Sequence, residues 1–368
     1  MKSDPRIAKL AHLLVEYSVD VKKNDNVCIH GTTVSEPLLK EIYRHVLRAG
    51  AHPNVHIQFQ DQEYLFYSLA EDHQLAYTNP FNLYEMEHAD ALISVLPNLN
   101  PYALTSVDPK KKQKTTLAQK PLFEALFKRW NEGKLRWVGT AFPSTALAQE
   151  ARMSLDEYAD FLFSCMHLDD DDPVAYWRHF SDWQERLCRR LNETKEMRYV
   201  GQDTDLRFLC EGRTWLNADG KNNFPDGEIC TSPVEDSVEG TIRFNFPGIY
   251  QGEEIEDIFL RFEKGRVVET RAAKGEALLN ALLETDEGAR YVGEIAVGTN
   301  ENINRFTKNM LLDEKMGGTV HVAVGMGIPQ CGTKNVSAVH WDMLKDMRDG
   351  GEIYADGNLI YRNGSFIE

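Results

Sequence analysis

The chain has 368 residues, 42% of them apolar, and a formal net charge of −16. That length predicts about two domains with sizeable cores, and no stretch approaches the ~20 apolar residues of a membrane span. The negative balance argues against nucleic acid and against anionic membranes as partners.

The N-terminal Met1-Lys2-Ser3-Asp4-Pro5-Arg6 lacks the charged-then-apolar pattern of a signal peptide. Six scattered cysteines (Cys28, Cys165, Cys188, Cys210, Cys230 and Cys331) form no CxxC pair. They suit reduced thiols in a cytoplasm better than a disulfide framework or a thiolate zinc site.

Ile7, Leu10, Leu14 and Tyr17 recur at helical spacing and predict an amphipathic helix over 5–21. A short strand over 26–31 follows. Ser35 then reads as an N-cap with Pro37 in the first turn, and Leu38, Leu39, Ile42, Val46 and Leu47 continue a helix to a stop at Gly50. A strand over 54–59 completes a βαβ unit, which implies a parallel pair. Strands over 90–96 and 136–141, with helices near 123–130 and 155–165, extend this to a flavodoxin-like doubly wound parallel sheet. It is expected to occupy 1–190. Lys110, Lys111, Lys112 and Lys114 read as a solvated loop. Gly31-Thr32-Thr33 lacks the glycine pattern of a nucleotide loop.

Asp169, Asp170, Asp171 and Asp172 precede Pro173 and a charged helix over 174–192. They read as a solvated loop or helix start, because calcium binding needs interleaved ligands and a glycine. From 191 to 368 the chain becomes strand-rich, and an α+β domain is expected. Residues 241–246 alternate polar and apolar. Glu263-Lys264-Gly265, Asp356-Gly357 and Asn363-Gly364 are hairpin signals. One helix, over 274–285, interrupts the strands.

Chemistry enters near the C-terminus. Val339-His340-Trp341-Asp342-Met343 and Val320-His321-Val322-Ala323-Val324-Gly325 both read as strands. Residues i and i+2 of a strand share a face, so His340 and Asp342 project together. Glu294 sits in an apolar strand, Gly293-Glu294-Ile295-Ala296-Val297-Gly298, where an unpaired charge is costly. Glu228 follows the turn of Phe224-Pro225-Asp226-Gly227. Singly, each has a bland reading as a core histidine or an arginine-paired carboxylate. Together the five make an oxygen- and imidazole-rich donor set suited to Zn, Co or Mn. They suffice for a two-metal centre with one bridging carboxylate and an activated water. Glu314, in Leu312-Asp313-Glu314-Lys315, is the candidate proton shuttle, with a surface charge as its alternative. Ser144, Ser232 and the cysteines stand in no nucleophile-elbow or triad context.

In order and approximate spacing, FPDGEICTSP, YVGEIAVG, LLDEK with GTVHVAVG, and SAVHWDML resemble the metal-binding segments of the thermophilic aminopeptidase family, the aminopeptidase T and S metallopeptidases. The N-terminal VGTAFPSTALAQEARMSLDEYADF agrees with it. The resemblance implies a homodimeric, dinuclear metal-dependent exopeptidase acting on peptides with a free N-terminus, with Glu228, Glu294, His321, His340 and Asp342 on the family's ligand positions. One departure stands out. The family carries a tyrosine at the metal centre a few residues after the first histidine, whereas Met326-Gly327-Ile328-Pro329 has none, and Tyr354 is the nearest in sequence. Two alternatives remain open. One is a mononuclear iron(II) ring-cleaving dioxygenase of a hydroxypyridine, with His321, His340 and Asp342 as its facial triad. The other is a metal-free binding protein.

Overall fold

The computed structural model describes residues 4–96, 100–250 and 252–367; Met1, Lys2 and Ser3 of the N-terminal stretch read above lie outside them. The chain divides into two compact units, 4–176 with 220–225, and 177–219 with 226–367. The expected boundary at 190 falls near the end of the helix Pro173–Asn192.

The first unit is a parallel sheet flanked by helices. Its strand order is His52–Gln58, Asn26–Thr32, Ala91–Val95, Arg136–Thr140 and Asn223–Phe224. Numbered within the unit this is 2-1-3-4-5, the flavodoxin order, as expected. The first helix, Pro5–Leu13, continues through one wider turn to Ser18, where the Val19 N–H donates to the Leu14 carbonyl. Its apolar stripe buries Ile7, Leu10, Leu13 and Leu14. The helix Glu36–Arg48 buries Leu38, Leu39, Ile42 and Val46 and stops before Gly50, whose φ is +77°. Ser35 does not cap it through its side chain; the hydroxyl instead accepts from Thr32 N–H and donates to the Thr32 carbonyl.

The lysine-rich stretch is a correction. It forms the first turns of a long helix, Pro109–Asn131, started by the Asp108 carboxylate accepting from Lys110 N–H and by Pro109 at the first position. Capping outweighs the like-charge repulsion of the lysines, which is eased by Lys111 Nζ donating to the Tyr67 carbonyl and Lys114 pairing with Asp72. The acidic run behaves as read: the Asp172 carboxylate accepts from Ala175 N–H at the start of the next helix.

Among the described residues the second unit holds three antiparallel sheets, of eight, five and two strands. The eight-stranded one carries hairpins at Lys264-Gly265, Asp356-Gly357 and Asn363-Gly364, with positive φ at both turn residues of each, the backbone that primed turns demand. The five-stranded one runs His340–Asp346, Thr319–Gly325, Val292–Gly298, Glu228–Thr231 and Leu216–Ala218. One face of this sheet sends Ile229, Ile295, Val297, Val320, Val322, Val324, Trp341 and Met343 into the apolar core. Alternation puts the intervening residues on the opposite face, and those carry the site.

Candidate metal centre

Register decides which side chains meet. Glu294 pairs with Ala323, which pairs with Asp342, so all three lie in one row across the sheet. The next row holds Cys230, Ala296, His321 and Leu344. Gly325 opposite His340 and Gly298 opposite Glu228 complete the face. Glycine and alanine between the donors leave space above the sheet, and the long side chains close over it.

The donors converge. His321 Nε2 lies 3.3 Å from Glu228 Oε2, 3.6 Å from Glu294 Oε1 and 4.0 Å from Asp342 Oδ1. His340 Nε2 lies 3.2 Å from Glu294 Oε2 and 3.6 Å from Asp342 Oδ2. Two donor groups result, Glu228–Glu294–His321 and Glu294–His340–Asp342, with Glu294 common to both. Donors held ~2.0–2.1 Å from a four-coordinate ion sit roughly 3.3 Å from one another, and the observed spacings match that better than directed hydrogen bonds. Glu228 Oε2 and Asp342 Oδ1 are buried and accept no hydrogen bond among the described residues. Buried carboxylate oxygens without donors ask for a cation, so a metal fits this cluster.

The electrostatics say the same. Burial pushes the Glu228 carboxyl up to about 7 and the Asp342 carboxyl up to about 6. Burial would also raise Glu294, but the His321 and His340 imidazoles outweigh it and hold that carboxyl well below its ordinary range. Burial works against charged imidazoles as well. The surrounding carboxylates win, raising His321 to about 9 and His340 to about 10. Without cations the cluster therefore gathers protons.

Three supporting residues surround the donors. Lys315, 1% exposed, donates to Glu228 Oε1 at 2.6 Å and to Glu314, and its Nζ lies 3.7 Å from Asp226. Neither Lys315 nor Asp226 was assigned a role from sequence, although both lie inside recognised segments; a lysine beside acidic residues has the look of a surface charge. Glu314 follows the short helix Met310–Asp313 and is half-buried, with burial raising its carboxyl. Tyr354, the nearest tyrosine, donates its hydroxyl to Glu352 at 2.5 Å in the eight-stranded sheet.

The stretch without a tyrosine has another use. The Met326 carbonyl accepts from His340 Nδ1 at 2.8 Å, which leaves the Nε2 lone pair facing Glu294 and Asp342. That carbonyl is held close to Gly293, where a Cβ would come within 2.2 Å of its oxygen. The Ser232 hydroxyl fastens the same place, donating to the Gly293 carbonyl at 2.6 Å and accepting from Ile328 N–H at 3.0 Å. Gly293→Ala should displace the Met326 carbonyl, turn the imidazole and weaken metal binding about 10- to 100-fold. Chelator competition measures this; unchanged affinity would show that the carbonyl does not orient His340.

The donor chemistry is that of a metal centre, and sequence comparison names the family. The chain belongs to the thermophilic metalloprotease (M29) family, whose model matches residues 3–366, and is a peptide-bond hydrolase. It is 29% identical to aminopeptidase AmpS of Bacillus subtilis, with 97% of each chain aligned. It is 28% identical to aminopeptidase T of Thermus thermophilus, over 73% of this chain and 74% of that one. Among solved structures, wild-type AmpT from Thermus thermophilus superposes with a TM-score of 0.86 at 23% identity, covering 99% of both chains. The 2,5-dihydroxypyridine dioxygenase from Pseudomonas putida KT2440 shares the fold more distantly, with a TM-score of 0.62 at 14% identity over 100% of this chain and 98% of that one. One fold thus serves unlike chemistries, and the site residues must choose between them.

Proposed function

We propose that the protein is a metalloaminopeptidase that releases N-terminal residues from peptides with a free amino terminus. Two divalent ions, Zn, Co or Mn, would be held by the two donor groups, which have Glu294 in common. The charge count carries this reading. Asp226, Glu228, Glu294, Glu314 and Asp342 set five carboxylates against the single ammonium of Lys315. With both imidazoles neutral, as ligands must be, four negative charges remain, which two divalent cations would neutralise.

When bound, such a pair supplies Lewis-acid polarisation of the peptide carbonyl and a nucleophilic water at neutral pH. The chain's own residues do the rest. Glu294 fixes the spacing of the two positions, and His340 is held in its ligating tautomer by Met326. Glu314, reached by Lys315 and partly open to solvent, takes the proton of the attacking water and returns it to the leaving amine. Glu314→Gln is expected to lower kcat by about 10²- to 10⁴-fold with metal content unchanged; a variant that turns over normally would remove Glu314 from the mechanism.

Metal binding must displace the protons the cluster gathers. Titrating metal-free protein with zinc at pH 7, in buffers of differing ionisation enthalpy, should release at least two protons, those of His321 and His340 with a part of one from Glu228. The sign for stability follows. Both imidazoles are raised above their ordinary value, so the stabilisation they give the metal-free protein is complete below the usual histidine range. It is lost as pH rises through about 9 to 10.

The second reading, a mononuclear iron(II) dioxygenase on His321, His340 and Asp342, is disfavoured because one divalent ion would offset only half of the four negative charges and would leave Glu228 Oε2 without a cation. Hydrolysis of an amino-acid p-nitroanilide after loading with Zn, Co or Mn, and none of its N-acetylated form, supports the peptidase. Oxygen uptake with ferrous ion and no hydrolysis supports the dioxygenase.

The working form is a cytoplasmic homodimer on this reading. Six free, buried cysteines support the compartment. The exposed side chains of Leu69, Phe81 and Phe123 support self-association. No helix among the described residues is long and apolar enough to cross a membrane.

A further inference from the structure

The first unit contains a second donor cluster, at the carboxyl ends of its parallel strands. His30 and His56 are paired in register on adjacent strands, so their imidazoles share a face of the sheet. Glu85, from the helix Pro80–His88, reaches between them. Its Oε1 lies 2.9 Å from His30 Nε2 and 3.4 Å from His56 Nε2. The Cys28 thiol, two residues before His30, hydrogen-bonds the same carboxylate.

We propose that His30, His56 and Glu85 form a further site for one divalent transition-metal ion of the zinc class. The ion would keep an open coordination position toward the interior of this unit.

Three observations carry it. The donors, two imidazole nitrogens and a carboxylate oxygen, are those of an open zinc site, and their spacing is close to the roughly 3.3 Å expected around a four-coordinate ion. One carboxylate oxygen is shared by two imidazoles. Glu85 Oε1 has both His30 Nε2 and His56 Nε2 within 3.4 Å, and a bound ion would replace the 3.0 Å contact of His56 Nε2 with Asn54 Nδ2. A structural histidine–glutamate pair needs one imidazole; the second is surplus unless both ligate. The location is the third observation. The cluster opens on a cavity of about 970 Å³ between the sheet and its covering helices, lined by His30, His56, Ser94, Asn82, Gln119 and Phe123 among others. Ligands of doubly wound sheets bind beyond the carboxyl ends of the strands, where the strand order reverses. Here that reversal falls between the strands of His30 and Ser94, and His56 lies on the other neighbour of the His30 strand. Amide and aromatic groups around the open position suit a small polar organic molecule as the remaining ligand.

The test is equilibrium dialysis of full-length, metal-stripped protein against zinc ion, followed by metal counting, on wild type and on Glu85→Gln and His56→Ala. His56 is exposed, so its truncation leaves the fold intact, and Glu85→Gln preserves side-chain shape. Each variant should hold one equivalent less than wild type while p-nitroanilide hydrolysis is retained. In the Glu294→Gln background one equivalent should remain and disappear when Glu85→Gln is added, which separates this site from the one proposed above. An unchanged zinc count in both variants, or no zinc retained in the Glu294→Gln background, overturns the proposal.

Discussion

Glu294→Gln is expected to cost the protein two equivalents of metal and at least about 10³-fold in kcat/KM. The residue is the only one common to both donor groups of the second unit among the described residues. The amide keeps the shape of the side chain and deletes the charge that both imidazoles face at 3.2 and 3.6 Å. Lewis-acid stabilisation worth several kcal/mol corresponds to a thousandfold or more at about 1.36 kcal/mol per decade. Metal counting on the dialysed variant, beside hydrolysis of an amino-acid p-nitroanilide, reads both losses. A variant that retains one of the two equivalents would show that the groups are independent and that Glu294 does not bridge them.

Lys315→Met should have the largest effect on stability. Its ammonium is buried and touches Glu228, Glu314 and Asp226, so truncation leaves carboxylates without their cation. Removing one partner of a buried ion pair costs about 3–5 kcal/mol. For a cooperative unit of this size that is a Tm drop of roughly 6–20 °C. The sign of the metal effect is the diagnostic part. Divalent ions reduce the uncompensated negative charge, so zinc should raise the variant's Tm by more than it raises the wild type's. Calorimetry with and without zinc measures both. A Tm equal to the wild type's in metal-free protein would mean that Lys315 does not neutralise the cluster.

Much of this site was legible before any coordinates, for a geometric reason. Side-chain alternation along a strand needs no tertiary knowledge, so His340 and Asp342 could be placed on one face from their spacing alone. A carboxylate in an apolar strand, as at Glu294, announces a partner because burying it alone is expensive. Lys315 could not be found this way. Its contact with Glu228 joins residues 87 apart in sequence, and only the fold turns an apparent surface charge into a buried one. The cluster of the first unit escaped for the same reason. His30 and His56 are unremarkable in their strands until parallel pairing sets them side by side, and Glu85 arrives on a helix that the sequence reading missed. Local capping explains the remaining differences: Asp108 starts a helix through lysines that looked like loop, while Ser35 turns back on Thr32 instead of capping its own helix. The two-residue strand Asn223–Phe224 depends wholly on its neighbour, Arg136–Thr140.

Anomalous diffraction from crystals loaded with zinc tests the central claim most directly. In the second unit, two peaks about 3.5–4 Å apart, one among Glu228, Glu294 and His321 and the other among Glu294, His340 and Asp342, are the predicted result. A single peak held by His321, His340 and Asp342, with Glu228 bound only to Lys315, would contradict the two-ion account.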